Sequence, residues 1–321
     1  MNRETIVWCV FWSVFVLVSA IDYYVTSHRK GGVTVKEALR WTGVWIGLAL
    51  SFGAFIYFVH PRGHELAMPY IAGYLTEYSL SVDNLFVFIL IFSLMGVKEV
   101  AQPKLIKLGI YLSIVLRVIF ILFGIALLHT FHWLIYGFGA LLVWTAWKMM
   151  TADEDESVHP ENNILAKIAS RFFPVHAEPQ ETKKLFTRFE GKLCITPLFL
   201  VFLVIGSTDV LFAVDSIPAI MGISQDPFVV LTSNIFAVLG LNSLFFAIRG
   251  IMGLFKFLKH GVSVILFFIG AKMIAGVYTP IEEWFKDHTS VSLLVIVAVL
   301  AASIVLSIWH DRTSAQPKPA E

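Results

Sequence analysis

The sequence predicts an all-α, polytopic transmembrane helix bundle of about nine spans, and three observations carry that expectation. Of 321 residues, 57% are hydrophobic and only 15% are charged, where a soluble domain carries about 25% charged residues. Mean hydropathy is +0.77. The charge is also segregated, collecting between apolar runs that are each near or above the roughly 18 residues needed to cross a bilayer as a helix.

The runs lie at residues 5–25, 38–59, 67–95, 108–128, 133–150, 194–221, 228–248, 261–278 and 291–309. The third and sixth exceed the required length, which leaves room for tilt or a break. With the N-terminus outside, eighteen Lys/Arg residues fall on one side of the membrane, among them Arg29, Lys30, Lys98, Lys183 and Arg249. Only Arg3, Arg62 and Lys286 fall on the other. This asymmetry predicts a topology with the N-terminus out and the C-terminus in. Arg3, the first apolar run and Val18-Ser19-Ala20 resemble a signal peptide. The bases at Arg29, Lys30, Lys36 and Arg40 outweigh Arg3 and favour an uncleaved first span.

The expected organisation is two N-terminal spans (1–66), a three-helix unit (67–150), a cytoplasmic loop (151–193), a second three-helix unit (194–278), a last span (279–309) and a polar tail (310–321). The loop opens with Asp153-Glu154-Asp155-Glu156, which reads as a solvated charged stretch. Cys9 and Cys194 fall near opposite membrane faces, so no disulfide between them is expected. A net charge of +1 without a basic amphipathic tract gives no footing for nucleic acid, and no phosphate-binding loop suggests ATP drive. No nucleophile constellation or His/Glu metal motif suggests an enzyme.

Function is expected where carboxylates enter the spans. A charge at the bilayer centre costs about 2.5–3.5 kcal/mol on insertion scales, yet Glu77 and Asp83 lie in the third run and Asp209 and Asp215 in the sixth. Both pairs are six residues apart, and Asn84 and Ser216 follow the second acid of each. Ala146-Trp147-Lys148-Met149 is echoed by Gly270-Ala271-Lys272-Met273, and Arg117 stands 31 residues before Lys148 as Asn242 stands 30 before Lys272. These correspondences predict that spans three to five and six to eight are two copies of one unit. Three being odd, the copies enter the membrane in opposite directions, an inverted repeat with its site at the midplane.

Residues six apart on a straight helix differ by about 120° and about 9 Å, so one helix cannot clasp an ion with both its acids. Antiparallel copies are expected to set Asp83 level with Asp209 and Glu77 level with Asp215, making two acidic layers. A break near Pro218 is expected to add backbone carbonyls. Carboxylates, amide or hydroxyl oxygens and carbonyls suit Mg²⁺, Ca²⁺ or Mn²⁺. No His or Cys lies between the paired acids; His129 and His132 read as loop residues, and Met149, Met150 and Met273 as packing. The competing reading is structural: Arg117, Lys148 and Lys272 are also embedded and would pair with the four acids.

The runs Glu77-Tyr78-Ser79-Leu80-Ser81-Val82-Asp83-Asn84 and Ser207-Thr208-Asp209-Val210-Leu211-Phe212-Ala213-Val214-Asp215-Ser216-Ile217-Pro218-Ala219-Ile220 closely resemble the TerC/Alx family of bacterial membrane proteins. Thr196-Pro197-Leu198, Asp226-Pro227-Phe228, Thr232-Ser233-Asn234-Ile235-Phe236-Ala237 and Leu239-Gly240-Leu241 continue the match, which covers roughly residues 20–276. The resemblance implies export of Mn²⁺ as a transported substrate across the inner (cytoplasmic) membrane of a bacterial cell, with an association with tellurium resistance. It implies Glu77, Asp83, Asn84, Asp209, Asp215 and Ser216 as the cation-handling residues, with a less defined part for Asp22. It shows two departures: relatives usually carry a glutamate at the position of Gly206 and an arginine at that of Asn242. An acid and a base lost together suggests that they pair in relatives.

The expected function is therefore a secondary transporter exporting Mn²⁺ through a midplane carboxylate site, in exchange for protons, with the lipid bilayer and the cation as its partners. The alternative from another class is a membrane-protein assembly or metal-delivery factor that docks the secretion machinery through the 151–193 loop.

Overall fold

The computed structural model of the chain describes residues 2–27, 34–131, 133–151, 163–176, 182–250, 257–278, 280–281, 284–285 and 288–314. Within its helices, the side chains of Asp22, Asp83, His129 and Asp215 are among those outside the described set, as are His132, Lys286 and the 153–156 acidic run. The elements in order are α1 (Arg3–Ser27), α2 (Val35–Val59), α3 (Gly63–Leu94), α4 (Gln102–Thr130), α5 (Leu134–Thr151), α6 (Ile164–Phe172), β1 (Phe186–Phe189), β2 (Lys192–Ile195), α7 (Pro197–Ile223), α8 (Pro227–Leu239), α9 (Leu241–Gly250), α10 (Leu258–Ala275) and α11 (Thr289–Ser314).

The chain is a polytopic helical membrane protein. Among the described residues, α1, α2, α3, α4, α7 and α11 are long and apolar enough to cross a bilayer, and α8 with α9 makes a seventh if that bent pair is one span. The expected number was nine. The other two are α5 and α10, 18 residues each, or about 27 Å at 1.5 Å per residue, close to the hydrocarbon core of about 30 Å. The short antiparallel hairpin of β1 and β2 departs from the all-α expectation; its turn, Glu190-Gly191, uses φ of 49° and 78°, which glycine adopts without steric cost.

The expected break near Pro218 does not occur. Helix α7 continues through Pro218 to Ile223, as α3 continues through Pro69. In lipid an interrupted helix would strand several backbone groups, whereas one proline removes only its own N–H from the carbonyl four residues earlier, here Val214. The interruption falls in the seventh expected span instead, where α8 and α9 meet at 43° about Gly240. A Cβ there would stand 3.4 Å from both the Trp45 and Tyr78 side chains, and Trp45 Nε1 donates to Ser243 Oγ at 3.1 Å.

Helix α3 is the axis of the bundle. It runs antiparallel to α2, with Tyr70 OH donating to Ala49 O at 3.1 Å and Gly53 against Tyr70 and Ile71. It runs parallel to α8, since Gly73 faces Ser233 and Tyr78 faces Gly240. Helices α4 and α7 are likewise parallel, with Gly109 on Ile205 and Gly124 on Met221. Small residues permit such close approach between helices in lipid. The tightest crossing joins α5 to α10, antiparallel: a methyl on Gly139 would stand 2.9 Å from the Gly270 carbonyl oxygen, and one on Gly270 2.7 Å from that of Gly139.

Candidate functional site: a buried acid–arginine centre

Three charged side chains converge where α3, α4 and α7 meet. Glu77 is residue 15 of the 32 in α3, Arg117 residue 16 of the 29 in α4 and Asp209 residue 13 of the 27 in α7, so each sits at mid-helix. They are 1%, 1% and 4% exposed. Arg117 Nη1 contacts Glu77 Oε1, and Nη2 lies 3.8 Å from Asp209 Oδ1. Its Nε donates to Ser113 Oγ at 3.0 Å, one turn back on α4, which fixes the plane of the guanidinium. One cation therefore serves two carboxylates, closely for Glu77 and loosely for Asp209. With both acids ionised the centre has one net negative charge in a low-dielectric interior, where charges and dipoles act strongly on one another.

Further buried oxygens lie close to these residues in sequence or on the neighbouring helix α8. Glu77 Oε2, Asp209 Oδ2, Thr76 Oγ1, Ser79 Oγ, Ser81 Oγ and Ser216 Oγ have no hydrogen-bond partner among the described residues, and neither has the side-chain amide of Asn234 on α8. Tyr74 and Tyr78 stack with ring centroids 5.6 Å apart, their hydroxyls equally unpartnered in that set. Buried polar atoms are ordinarily satisfied, so this concentration of oxygen within two turns of Glu77 and Asp209 is unusual in an apolar bundle.

Arg117 spans Glu77 and Asp209, the first acid of each expected pair. Helices α3 and α7 are antiparallel: Arg62, just before α3, pairs with Asp226, just beyond α7, and Gly73 meets Ile220. Asp83 and Asp215 lie six residues, about 9 Å, further along their helices, in opposite directions. Asn84 and Ser216, 6% and 2% exposed, are buried beside them.

Of the embedded bases, Arg117 does pair with acids, as the structural alternative required. Lys272 does so with none among the described residues: its Nζ lies 3.3 Å from Ser292 Oγ and 5.4 Å from the Phe285 ring centroid. Lys148 is exposed in the last turn of α5. Gly206 abuts Leu112 on α4, whereas Asn242 lines a crevice with Lys107, Ile110 and Tyr111 on other faces of that helix, so the two departures from the family pattern do not adjoin. Among the described residues no three His, Cys, Asp or Glu side chains gather into a metal-binding group.

Beyond the centre, at the α2–α3 end of the bundle, a cleft of about 670 Å³ is lined by Glu65, Pro69, Tyr136, Gly222, Asp226 and Lys272. Arg62 and Asp226 pair across its mouth; the hydrogen bond to Asp226 raises the already high pKa of the Arg62 guanidinium. Asp226 also caps α8, accepting from Phe228 N at 3.0 Å. The sequence reading missed this cleft and the burial of Asn234, and neither had a signal in the sequence.

Fold and centre together define a polytopic membrane protein with a charged site at mid-helix in its α3–α4–α7 core. A family model for integral membrane proteins of the TerC family matches residues 62–315, and the chain belongs to that family. It is 40% identical to "Uncharacterized membrane protein STKORF319" of Myxococcus xanthus over 95% of this chain and 92% of that one. It is 38% identical to "Putative membrane-bound redox modulator Alx" of Escherichia coli K12 over 96% and 97%, and 38% identical to the protein of that name in Salmonella typhi over 96% of each. No solved structure matches the chain.

Proposed function

We propose that the protein is a secondary transporter that exports a divalent cation, Mn²⁺, across the bacterial inner membrane through the buried acid–arginine centre, in exchange for protons. The observation that carries the reading is Arg117 held between Glu77 and Asp209 at mid-helix. Two carboxylates bound by one removable cation form an exchange site. Charges in the membrane are costly and mark ion pathways, and the hard oxygens around these carboxylates suit Mg²⁺, Ca²⁺ or Mn²⁺ rather than a thiophilic metal.

In this reading Arg117 is the resident counter-ion. Asp209, held only at 3.8 Å, is the carboxylate an incoming cation engages first, and engagement of Glu77 follows as the guanidinium withdraws towards Ser113. Asp83 and Asp215 serve as flanking stations on the two approaches. With the N-terminus outside, as the lysine and arginine distribution favours, the Arg62–Asp226 cleft is the external exit.

The packing supports an inverted repeat around the centre. Gly73 of α3 meets Ser233 of α8; the residue 132 positions after Gly73, Ile205 of α7, meets Gly109 of α4, which lies 124 positions before Ser233. The offsets match those relating Glu77 to Asp209 and Lys148 to Lys272. The bend at Gly240 supports the reading too, since interrupted helices border the sites of such transporters.

The test is Mn²⁺ uptake into inside-out vesicles containing wild type, Glu77→Gln with Asp209→Asn, or Asp83→Asn with Asp215→Asn, at equal membrane expression. Loss in both double variants is the expected outcome; undiminished uptake in both would sink the transport reading. Uptake indifferent to an imposed pH gradient would remove proton exchange.

A further inference from the structure

The segment between α5 and α7 reads in the sequence as a soluble loop, but its helix is tied along a membrane span. Asn163, the N-cap of α6, accepts from Ala166 N at 3.0 Å and donates through Nδ2 to Ser207 Oγ at 2.5 Å. At the other end, Ile195 N donates to Pro174 O at 3.0 Å and His176 N to Ile195 O at 2.9 Å. Helix α6 therefore runs antiparallel beside the first half of α7, from the level of residue 207 back to that of residue 195. Ser207 is the eleventh residue of α7, about 15 Å in from its start and two residues from Asp209. The beginning of α6 is thus close to the level of the buried centre.

No side chain of α6 is fully buried. Ile164, Ile168 and Phe172, spaced by four, form one stripe with exposures of 71%, 48% and 76%, and Leu165 at 47% adjoins it. On α7, Ser207 begins a second outward stripe continued by Leu211 and Val214, 67% and 47% exposed. Arg171, and Lys167 one turn before it, flank the apolar stripe of α6, and both are exposed. Towards the hairpin the same mixture continues, with Phe186, Phe189 and Leu193 exposed beside Arg188 and Lys192.

We propose that α6 is a re-entrant amphipathic helix lying in the leaflet on the lysine- and arginine-rich side of the protein, its Ile164–Ile168–Phe172 stripe among acyl chains and Arg171 and Lys167 on the phosphate of an anionic phospholipid. Depth decides the occupant. A stripe beginning level with Ser207 of a membrane-spanning helix faces hydrocarbon, and large apolar side chains are the residues that hydrocarbon accepts. Long basic side chains at its edge reach the headgroups while their stems stay in the apolar layer, and the leaflet on the basic side is the one that presents anionic lipid. The inference rests on α7 crossing the membrane and is independent of which ion the centre carries.

The experiment uses the full-length chain with Cys9→Ser and Cys194→Ser, carrying Ile168→Cys or Phe172→Cys labelled with an environment-sensitive fluorophore. Labelled Leu211→Cys serves as the lipid-facing reference and Glu190→Cys as the aqueous one. Proteins are reconstituted into phosphatidylcholine vesicles with and without phosphatidylglycerol, and quenching by doxyl-labelled acyl chains is compared with quenching by iodide. The expected result is that positions 168 and 172 follow the Leu211 reference. Iodide protection should increase with phosphatidylglycerol and lose that increase when Arg171→Gln and Lys167→Gln are combined. Iodide quenching equal to the Glu190 reference would overturn the proposal in favour of a water-facing helix. Resistance to both quenchers would overturn it in favour of a protein-covered stripe, and protection blind to phosphatidylglycerol would overturn the headgroup contact.

Discussion

Replacing Arg117 by methionine tests whether the centre is a coupled unit. The side chain is 1% exposed and touches Glu77, Asp209 and Ser113. Methionine fills much of the volume, so the change is chiefly electrostatic: the centre passes from one net negative charge to two, with both acids buried. Removing one partner of a buried pair costs about 3–5 kcal/mol, most of it the penalty of the charge left behind. If that accounts for the loss, Glu77→Gln added to Arg117→Met restores part of it, and the double variant is more stable than the sum of the singles by about 0.5–3 kcal/mol. The assay is unfolding of the purified protein in detergent, followed by tryptophan fluorescence, with and without Mn²⁺. A cation at a hundred times its Kd stabilises by about 2.7 kcal/mol. Arg117→Met should bind it more tightly than wild type, because the resident cation no longer competes. Single-variant costs that add within about 0.5 kcal/mol, with an Mn²⁺ response no larger than that of wild type, would refute the reasoning.

Other expectations follow from the same contacts. Gly139→Ala or Gly270→Ala drives a methyl onto a facing carbonyl oxygen that cannot yield; each should destabilise the protein by about 1–3 kcal/mol, seen as reduced thermal stability at unchanged membrane insertion. Asp226→Ala removes the cap of α8, worth about 1 kcal/mol, and an ion pair to a largely exposed arginine that adds little. Its stability loss should therefore be small, while the exit rate of Mn²⁺ in vesicle flux assays should change if the cleft is the exit. Gly206→Glu should lower transport, and because Gly206 and Asn242 meet different faces of α4, adding Asn242→Arg should not restore it. Rescue by the second substitution would reinstate direct pairing of the two positions.

Much of this protein was legible without coordinates. Side-chain hydrophobicity alone decides which stretches enter lipid, and the membrane-spanning character of residues 5–25, 38–59, 108–128 and 291–309 is carried by composition. Because a carboxylate in such a stretch is costly, Glu77 and Asp209 stood out as site residues before their burial was known, and Arg117 stood out as an embedded base. That Arg117 would span Glu77 and Asp209 in particular was not legible. It depends on how α3, α4 and α7 pack, and that is set by contacts remote in sequence, such as Gly73 against Ile220 and Gly109 against Ile205. The same holds for the helix break, expected at Pro218 and found at Gly240: proline announces a missing donor, but neighbouring helices decide whether a helix must bend. The re-entrant course of α6 hangs on one hydrogen bond between residues 44 positions apart. Hydrophobicity and charge are properties of single residues and survive in a string of letters, whereas crossing points, ion-pair partners and depth arise only when distant surfaces pack.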